Sequence, residues 1–452
     1  MDGSEAAAGT VRLTVGQALV RFLAHQWSDR DGERRRLIAG CLGIFGHGNV
    51  AGYGQGLLQA HVEARAAGYG PGSDKGEVGP DELPYILARN EQAAVHTAVS
   101  YARTVERTQT WAVGASIGPG STNMVTGAAL ATIDHIPVLL LPSDVFANRV
   151  PDPVLQQLEH PMGPDVTVND AFRPVSRYFD RIWRPEQLLA SLPMAMRVLT
   201  DPVETGAVTI ALPQDVQAEA FDWPVEFFAD RVWFIRRPVP EPAAIARAAE
   251  VIRTAATPLV VAGGGAIYSA ASAQLRAFAA ATGIPVADTQ AGKGAIAWDD
   301  PHAVGGVGST GSGSANALAR EADVVIGVGT PNADFTTASH TVFANPGVRF
   351  VNLNVAAFDA AKHSATMVVA DAREGLVALT DALAGYTAPL PWQQRAAAEV
   401  AAWVETTELC YHRGHGPLPA QTEVFGALNE LMGDDDILIN AAGSMPGDLQ
   451  CL

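Results

Sequence analysis

A helix start that carries a carboxylate, followed by a strand and a glycine-rich turn, most constrains the fold of this chain. Asn90 is a favourable N-cap residue, and Glu91 falls in the first turn of the helix that follows it. The run 110–113 has strand length and leads into the turn Ser-Ile-Gly-Pro-Gly-Ser-Thr-Asn at 116–123, and a helix of small residues is predicted at 124–133. Helices and strands that alternate in this way predict an α/β fold, in which ligands bind at the carboxyl ends of the strands.

Each part of this pattern also has a simpler explanation. The helix dipole alone stabilises a glutamate in the first turn, by about 0.3–1 kcal/mol. A Gly-Pro-Gly segment is most often only a turn. The combination with the apolar strand at 137–141 is what places Glu91 at the mouth of a sheet and suggests a site.

A second glycine-rich turn follows the first apolar strand, which is predicted at 37–45. The turn at 46–52 has the sequence Gly-His-Gly-Asn-Val-Ala-Gly. Histidine titrates near neutral pH and can donate or accept a proton, so His47 is a candidate acid or base. The alternative is a loop histidine that only makes a hydrogen bond. Before this strand, the pattern predicts a helix at 11–27 and a charged loop at 30–36.

Length and charge limit the classes of protein that this chain can represent. At 452 residues it is long enough for roughly three domains of about 150 residues. The formal net charge of −18 argues against a nucleic-acid partner. A membrane partner is not expected either, because no basic tract and no apolar run of about 18 residues is present.

Cysteine usage indicates the compartment. Cys41, Cys410 and Cys451 are few and far apart, which argues against a disulfide framework and for a reducing environment. The first ten residues lack the basic and then apolar order of a signal peptide. The sequence therefore predicts a cytoplasmic protein.

The alternation of elements predicts two consecutive doubly wound α/β domains with mainly parallel sheets, and the start of a third α/β domain. The predicted organisation is a first domain at 10–215, a linker at 216–242, a second domain at 243–385, a linker and helix at 386–417, and the start of the third domain at 418–452, with a strand at 436–440.

The second domain contains a Gly-x-Gly-x-x-Gly match at 306–311. No convincing strand precedes it, and no acidic residue follows at the expected distance. The triplet Gly263–Gly265 does follow a strand, but no third glycine falls in place. Dinucleotide binding is therefore not favoured.

Glu91, the strand after it and the Gly-Pro-Gly-x-x-Asn turn together resemble the pyrimidine-binding domain of thiamine-diphosphate enzymes of the acetolactate synthase and pyruvate oxidase superfamily. The resemblance implies that Glu91 bonds a ring nitrogen of the aminopyrimidine and that Ser116 and Asn123 line the same pocket. It extends the cofactor-binding set to Gly48, Gly443 and Ser444. A homodimer or homotetramer is also implied, with the three domains in the order pyrimidine-binding, middle and diphosphate-binding.

Three turns resemble those of the trihydroxycyclohexanedione hydrolases of myo-inositol breakdown more closely. They are Phe-Gly-His-Gly-Asn-Val at 45–50, Glu-His-Pro at 159–161 and Ala-Ala-Gly-Ser-Met-Pro-Gly-Asp-Leu at 441–449. Acetolactate synthases carry an aromatic-Pro-Gly turn where this chain has His47-Gly48-Asn49. The resemblance implies hydrolysis of a carbon–carbon bond in a cyclic polyol diketone, with 5-deoxy-glucuronate as product. His47 or His160 are candidates for activating water, and Asn49 and His160 for binding substrate.

The resemblance also concerns cofactors. In enzymes of this superfamily, the third domain binds the diphosphate through Mg²⁺ and uses a Gly-Asp-Gly motif for this. This chain lacks the motif. The metal ligands are therefore expected beyond residue 452, with none within the chain, and the chain alone is expected to be inactive. Some members of the superfamily bind FAD in the middle domain, but FAD is not expected here.

Three alternatives stay open at this point. The first is a carboligase or lyase of the acetolactate type with the same cofactor. The second is a serine hydrolase, because Gly-Ala-Ser-Ile-Gly at 114–118 matches a nucleophile motif around Ser116, although Pro119-Gly120 breaks the helix that this motif needs. The third is a non-catalytic α/β binding protein.

Overall fold

The computed structural model describes residues 9–148, 154–158, 160–163 and 165–452. The chain divides into two compact units, one ending at Arg236 and the other running from Arg237 to Leu452. Each unit is built on its own six-stranded parallel sheet with helices against it, so the predicted α/β class with two doubly wound domains is confirmed. Glu159, in the predicted Glu-His-Pro turn, lies outside the described residues.

The first unit has a central sheet of order β5-β4-β6-β7-β9-β8. Its strands are β1 (Thr10–Thr14), β2 (Gln26–Arg30), β3 (Glu33–Arg36), β4 (Ile38–Ile44), β5 (Tyr85–Leu87), β6 (Thr110–Ala115), β7 (Val138–Asp144), β8 (Tyr178–Arg181), β9 (Ala207–Pro213), β10 (Ala220–Pro224) and β11 (Arg231–Phe234). Its helices are α1 (Val15–Ala24), α2 (Gly46–Asn49), α3 (Gln55–Ala66), α4 (Glu91–Thr104), α5 (Pro119–Thr122), α6 (Val125–Ile133) and α7 (Leu188–Leu199). A π-helical turn spans Val50–Gly54, and short 3-10 helices span Val168–Val175, Pro185–Gln187, Val216–Ala218 and Val225–Phe228.

Strands β7 and β9 are buried along their whole length, as strands in the middle of a parallel sheet with helices on both faces must be. Their apolar side chains join those of α1 and α7 in one hydrophobic core. Strand β10 pairs with β1, and β11 pairs with β2. The segment 216–236, interpreted as part of a linker, is therefore paired within the first unit.

The second unit has the sheet order β14-β13-β12-β15-β16-β17. Its strands are β12 (Pro258–Ala262), β13 (Val286–Asp288), β14 (Ala303–Gly306), β15 (Val324–Val328), β16 (Arg349–Asn354) and β17 (Thr366–Val369). Its helices are α8 (Pro242–Arg253), α9 (Gly264–Tyr268), α10 (Ser272–Thr282), α11 (Gly313–Glu321), α12 (Asp334–Thr337), α13 (Ala357–Ala360), α14 (Ala372–Ala382), α15 (Leu390–Tyr411), α16 (Gln421–Leu431) and α17 (Ser444–Cys451), with short 3-10 helices at Gln290–Gly292 and Lys362–Ser364.

The order of the second sheet reverses between β12 and β15, where α/β sheets of this kind take nucleotides. Here the loops after these two strands meet. The Gly265 N–H donates to the Gly329 carbonyl at 2.9 Å. A Cβ added to Gly263 would stand 2.5 Å from the Gly329 oxygen, so the two loops are in direct contact.

Two predictions near the amino terminus are wrong. The predicted helix at 11–27 is a strand, a shorter helix and part of a second strand. Thr14 begins the helix, because its hydroxyl accepts from the Gln17 N–H while the Gln17 side chain accepts from the Thr14 N–H. The charged loop at 30–36 is mostly strand β3, whose Arg34 guanidinium lies 4.4 Å from the centre of the Trp27 ring.

The predicted strand at 436–440 is also wrong. No described strand lies beside this segment to pair with its backbone, and a strand needs such a partner. Ile437 and Ile439 are exposed there. None of the described helices combines the length and hydrophobicity that crossing a bilayer requires.

His25 links the end of α1 to two carboxylates. Its Nε2 lies 2.8 Å from Asp81 Oδ1, and its Nδ1 lies 2.7 Å from Asp230 Oδ1. The hydrogen bond to Asp81 is the largest cause that raises the pKa of His25, burial opposes it, and Asp230 adds to the increase. Because the folded state binds this proton more tightly, the protonated ring stabilises the fold fully below the unfolded pKa of about 6.5. This contribution is lost as pH rises through the folded pKa.

We therefore expect His25→Gln to lower the free energy of unfolding by about 1 kcal/mol at pH 6 and by clearly less at pH 9. Urea-induced unfolding of both proteins at the two pH values measures this. All other titrating groups are common to both proteins, so the change in their difference with pH isolates His25. A difference that is equal at pH 6 and pH 9 would contradict the assignment.

Candidate active site

A cleft of about 720 Å³ opens at the carboxyl edge of the first sheet. It lies where the sheet order reverses, between the ends of β4 and β6. Its lining comes from the turns after these strands, from the start of α4 and from the segment after β7: Gly46, His47, Glu91, Ser116, Pro119, Gly120, Thr122, Asn123 and Gln156. The structure thus brings together four of the predicted site residues, His47, Glu91, Ser116 and Asn123.

Glu91 is the first residue of α4 and is oriented by two asparagines. The Asn90 side chain accepts from the Ala93 N–H at 2.9 Å, which fixes the start of the helix as predicted. The Asn123 amide donates to Glu91 Oε2 at 2.9 Å. Among the described residues, no group hydrogen-bonds Glu91 Oε1. A Cβ added to Gly120 would stand 3.3 Å from that oxygen. Asn123 therefore holds one carboxylate oxygen and leaves the other for a ligand.

Ser116 lies at the end of β6 with its side chain buried. Its Oγ has no hydrogen-bond partner among the described residues. An added Cβ on Gly46 would stand 2.5 Å from this oxygen, and Gly46 has a φ of +52°, so only glycine suits this position. A buried hydroxyl without a partner is costly, which suggests that a ligand supplies one.

The environment of Ser116 does not fit a serine hydrolase. A nucleophilic serine needs a base within hydrogen-bond reach, and no described side chain bonds its Oγ. Helix α5 begins at Pro119, whereas the nucleophile motif needs a helix directly after the serine. Pro119 does not break a helix, as the sequence predicted, but begins one as its first residue, two positions too late for the motif.

His47 lies on α2 at the rim of the cleft. Its Nε2 lies 3.1 Å from the Leu155 carbonyl oxygen, which can only accept a hydrogen bond. In the neutral ring, Nε2 therefore carries the hydrogen and Nδ1 carries the lone pair. This tautomer leaves Nδ1 as a proton acceptor.

Gly48 and Asn49 lie beneath the cleft and do not line it. The Asn49 amide donates to the carbonyls of Ala115 at 2.8 Å and Leu141 at 3.1 Å, and its oxygen accepts from Gln217 at 3.0 Å. The side chain is fully buried. Its polar atoms are therefore used by the protein, and its position fits a structural role better than the predicted contact with substrate.

Gly48 packs too closely for any side chain. An added Cβ would stand 2.6 Å from the Ser143 side chain, and the Gly48 carbonyl accepts from Ser143 Oγ at 2.9 Å. The amide nitrogen of Gln217 also lies 3.1 Å from this carbonyl. Gly48 thus allows the turn to approach the sheet closely, whereas a direct contact with cofactor stays a prediction.

Two buried side chains tie the segment after β7 to the sheet. Arg181 Nε donates to Asp144 Oδ2 at 2.6 Å, and its Nη2 lies 2.8 Å from Thr167 Oγ1 and 3.1 Å from Asp170 Oδ1. Burial alone would lower the pKa of the Arg181 guanidinium, but the carboxylates of Asp144 and Asp170 outweigh it and raise that pKa. This ion pair therefore anchors the described part of the segment after β7 at Thr167 and Asp170; of that segment, Gln156 lines the cleft.

The remaining predicted residues are not among those that line this cleft. His160 is exposed in a turn closed by the Gly163 N–H and is not among the lining residues. Gly443 and Ser444 belong to the second unit, where they are exposed at the start of α17. Among the described residues, no group of three or more His, Cys, Asp or Glu side chains could hold a metal ion.

Sequence reasoning missed Gln156, Thr122 and Gln217. Thr122 was inside the recognised turn and could have been included. Gln156 lies in the long irregular segment, and Gln217 lies 168 residues from its partner Asn49, so no local pattern marks either of them.

Comparison with known families agrees with this geometry. Residues 77–163 match the family described as thiamine pyrophosphate enzyme, N-terminal TPP binding domain, and residues 245–379 match thiamine pyrophosphate enzyme, central domain. The fold is thus that of the thiamine pyrophosphate enzymes, and the predicted resemblance to them is confirmed.

Full-length relatives narrow the class. A protein of Geobacillus thermodenitrificans (strain NG80-2), named 3D-(3,5/4)-trihydroxycyclohexane-1,2-dione hydrolase, is 45% identical over 462 residues. Proteins of the same name from Bacillus cereus (strain AH820) and Bacillus anthracis are 45% identical over 469 residues. Each alignment covers 98% of this chain and 69% of the relative. The chain belongs to this family of thiamine pyrophosphate enzymes.

We expect Asn49→Leu to lower the free energy of unfolding by about 2–4 kcal/mol, because it removes three buried hydrogen bonds, those to the Ala115 and Leu141 carbonyls and the one from Gln217. Urea-induced unfolding measures this change. Thr122→Val, a substitution at an exposed residue of the cleft, is the control. Its free energy of unfolding should stay within about 0.5 kcal/mol of the wild-type value. If Asn49→Leu has wild-type stability but binds substrate more weakly, the predicted contact of Asn49 with substrate would be supported instead.

Proposed function

We propose that this chain acts as a thiamine-diphosphate-dependent hydrolase that opens the ring of 3D-(3,5/4)-trihydroxycyclohexane-1,2-dione, giving 5-deoxy-glucuronate in inositol catabolism. The observation that carries the proposal is the Glu91 carboxylate, held by Asn123 through one oxygen and open to the cleft through the other. Relatives with this named activity align with 98% of the chain, which supports the substrate.

The residues of the cleft fit the cofactor. Glu91 Oε1 offers a carboxylate oxygen to a ring nitrogen, and the unpartnered hydroxyl of Ser116 offers a further hydrogen bond. Gly46 and Gly120 lack the Cβ atoms that would narrow the cleft beside these two groups. When bound, thiamine diphosphate supplies the carbanion chemistry that breaks a carbon–carbon bond.

The protein's own contribution is proton transfer and orientation. Glu91 would exchange a proton with the aminopyrimidine of the bound cofactor, and the Asn123 amide keeps the Glu91 side chain in place. Hydrolysis also requires a base that takes a proton from water. The Nδ1 atom of His47 suits this role, because the Leu155 carbonyl fixes the hydrogen on Nε2. The bond between the two carbonyl carbons then breaks and the ring opens. The carbon that receives the water oxygen becomes a carboxylate, and the other receives a hydrogen and becomes an aldehyde in the same molecule.

Several parts of this function are proposals that rest on the resemblance. They are Mg²⁺, a homodimer or homotetramer, a cytoplasmic location, a middle domain at 243–385, and contacts of Gly48, Gly443 and Ser444 with cofactor and of His160 with substrate. The two arms of one assay separate the proposal from its main alternative. Ring opening of the dione supports it, whereas acetolactate formed from pyruvate would favour a carboligase.

We expect Glu91→Gln in the complete enzyme to lower kcat for ring opening by about 100-fold or more, because the amide cannot exchange a proton with the ring. Stopped assays of ring opening with thiamine diphosphate and Mg²⁺ measure this. The Asn123 amide can still donate to the new side chain, so the fold should be kept. Glu405→Gln, in an exposed position of α15, is the matched control and should retain wild-type kcat. Undiminished activity of Glu91→Gln would overturn the assignment.

A further inference from the structure

Gln156 forms part of the cleft wall and has an uncommon backbone conformation. It lines the cleft together with Glu91 and His47. Its φ is +67°, in the left-handed region that residues other than glycine rarely adopt. Strained residues of this kind are concentrated at functional sites, because the surrounding structure must hold them there.

The surrounding structure holds Gln156 on both sides. A Cβ added to Gly118, which itself has a φ of +67°, would stand 1.8 Å from the Gln156 carbonyl oxygen, so the two backbones are in close contact. The preceding carbonyl, that of Leu155, bonds His47 Nε2 at 3.1 Å. Gln156 is therefore fixed next to the histidine that we propose as the base.

Two other polar side chains of the cleft are already engaged by the protein. Asn123 donates to Glu91, and the Thr122 hydroxyl donates to the Pro119 carbonyl at 3.2 Å. The carboxamide of Gln156 makes no hydrogen bond within the part of the chain that the structure describes, and it is exposed to the cleft. A carboxamide offers two donors and an acceptor, which match the donor and acceptor capacity of hydroxyl groups.

We propose that Gln156 is a specificity-determining residue that binds hydroxyl groups of a polyhydroxylated cyclic diketone. This inference rests on the proposed function. It means that Gln156 lets the enzyme distinguish a ring that carries hydroxyl groups from one that does not. A site built to hydrogen-bond a substrate hydroxyl discriminates strongly against an analogue that lacks it, whereas apolar pockets discriminate weakly.

The test compares Gln156→Met with wild type in the complete enzyme, loaded with thiamine diphosphate and Mg²⁺. Methionine keeps the length of the side chain but loses its hydrogen bonds. We expect KM for the trihydroxylated dione to rise about tenfold while kcat stays within about twofold. The inhibition constant of cyclohexane-1,2-dione, a competitor without hydroxyls, should not change. The Kd of thiamine diphosphate, measured by tryptophan fluorescence, should also stay within about twofold.

Gln394→Met makes the same chemical change on the exposed face of α15 and is expected to match wild type in every measurement. An unchanged KM in Gln156→Met overturns the inference, and so does a parallel rise in KM and in the inhibition constant, which would indicate a general disturbance of the cleft. In both cases wild-type ring opening leaves the proposed function standing. If wild type binds thiamine diphosphate but does not open the trihydroxylated ring, the proposed function fails and the inference fails with it.

Discussion

The cleft depends on one buried pair of amides beneath it. The Asn49 side chain joins the turn after β4 to the carbonyls of β6 and β7, and Gln217 joins Asn49 to the Leu212 carbonyl of β9 at 3.0 Å. The Gln217 oxygen also accepts from the Tyr53 N–H at 3.1 Å. Three strands and the turn that carries His47 are thus joined by two side chains, neither of which lines the cleft. In a buried network of this kind each partner is needed, because an unpaired amide or carbonyl is costly.

The sheets could be predicted from the sequence because parallel strands buried on both faces leave a strong local signal. Runs such as 138–141 and 259–262 are apolar throughout and are bounded by turns. The errors lie where tertiary contacts override local preference. The segment 10–14 becomes a strand because it pairs with 220–224, more than 200 residues away, and 33–36 becomes a strand because its arginines pack on Trp27.

The site was predictable to the extent that it is local. Glu91 and Asn123 belong to a helix start and a turn whose sequences are distinctive, and the structure joins them directly. Asn49 was found by the same kind of reasoning but given a different role, because burial and long-range partners cannot be read from a turn. Gln156 and Gln217 had no signal at all, since a left-handed backbone at a glutamine and a contact across 168 residues leave no pattern in the sequence.

Both sheets have a point where ligands of α/β proteins usually bind, but the polar groups at the two points differ. In each, the carboxyl ends of two neighbouring strands at a reversal of the strand order define where a ligand can bind; these strands are β4 and β6 in the first sheet and β12 and β15 in the second. In the second sheet, Gly265 hydrogen-bonds Gly329 across that point, so backbone groups there are paired with each other. In the first, Gly46 packs on Ser116 at the same point, but Glu91 stands beyond them with an open carboxylate oxygen. Glycines at a reversal therefore do not mark a ligand site by themselves. The site exists where the polar groups around the glycines are left without protein partners.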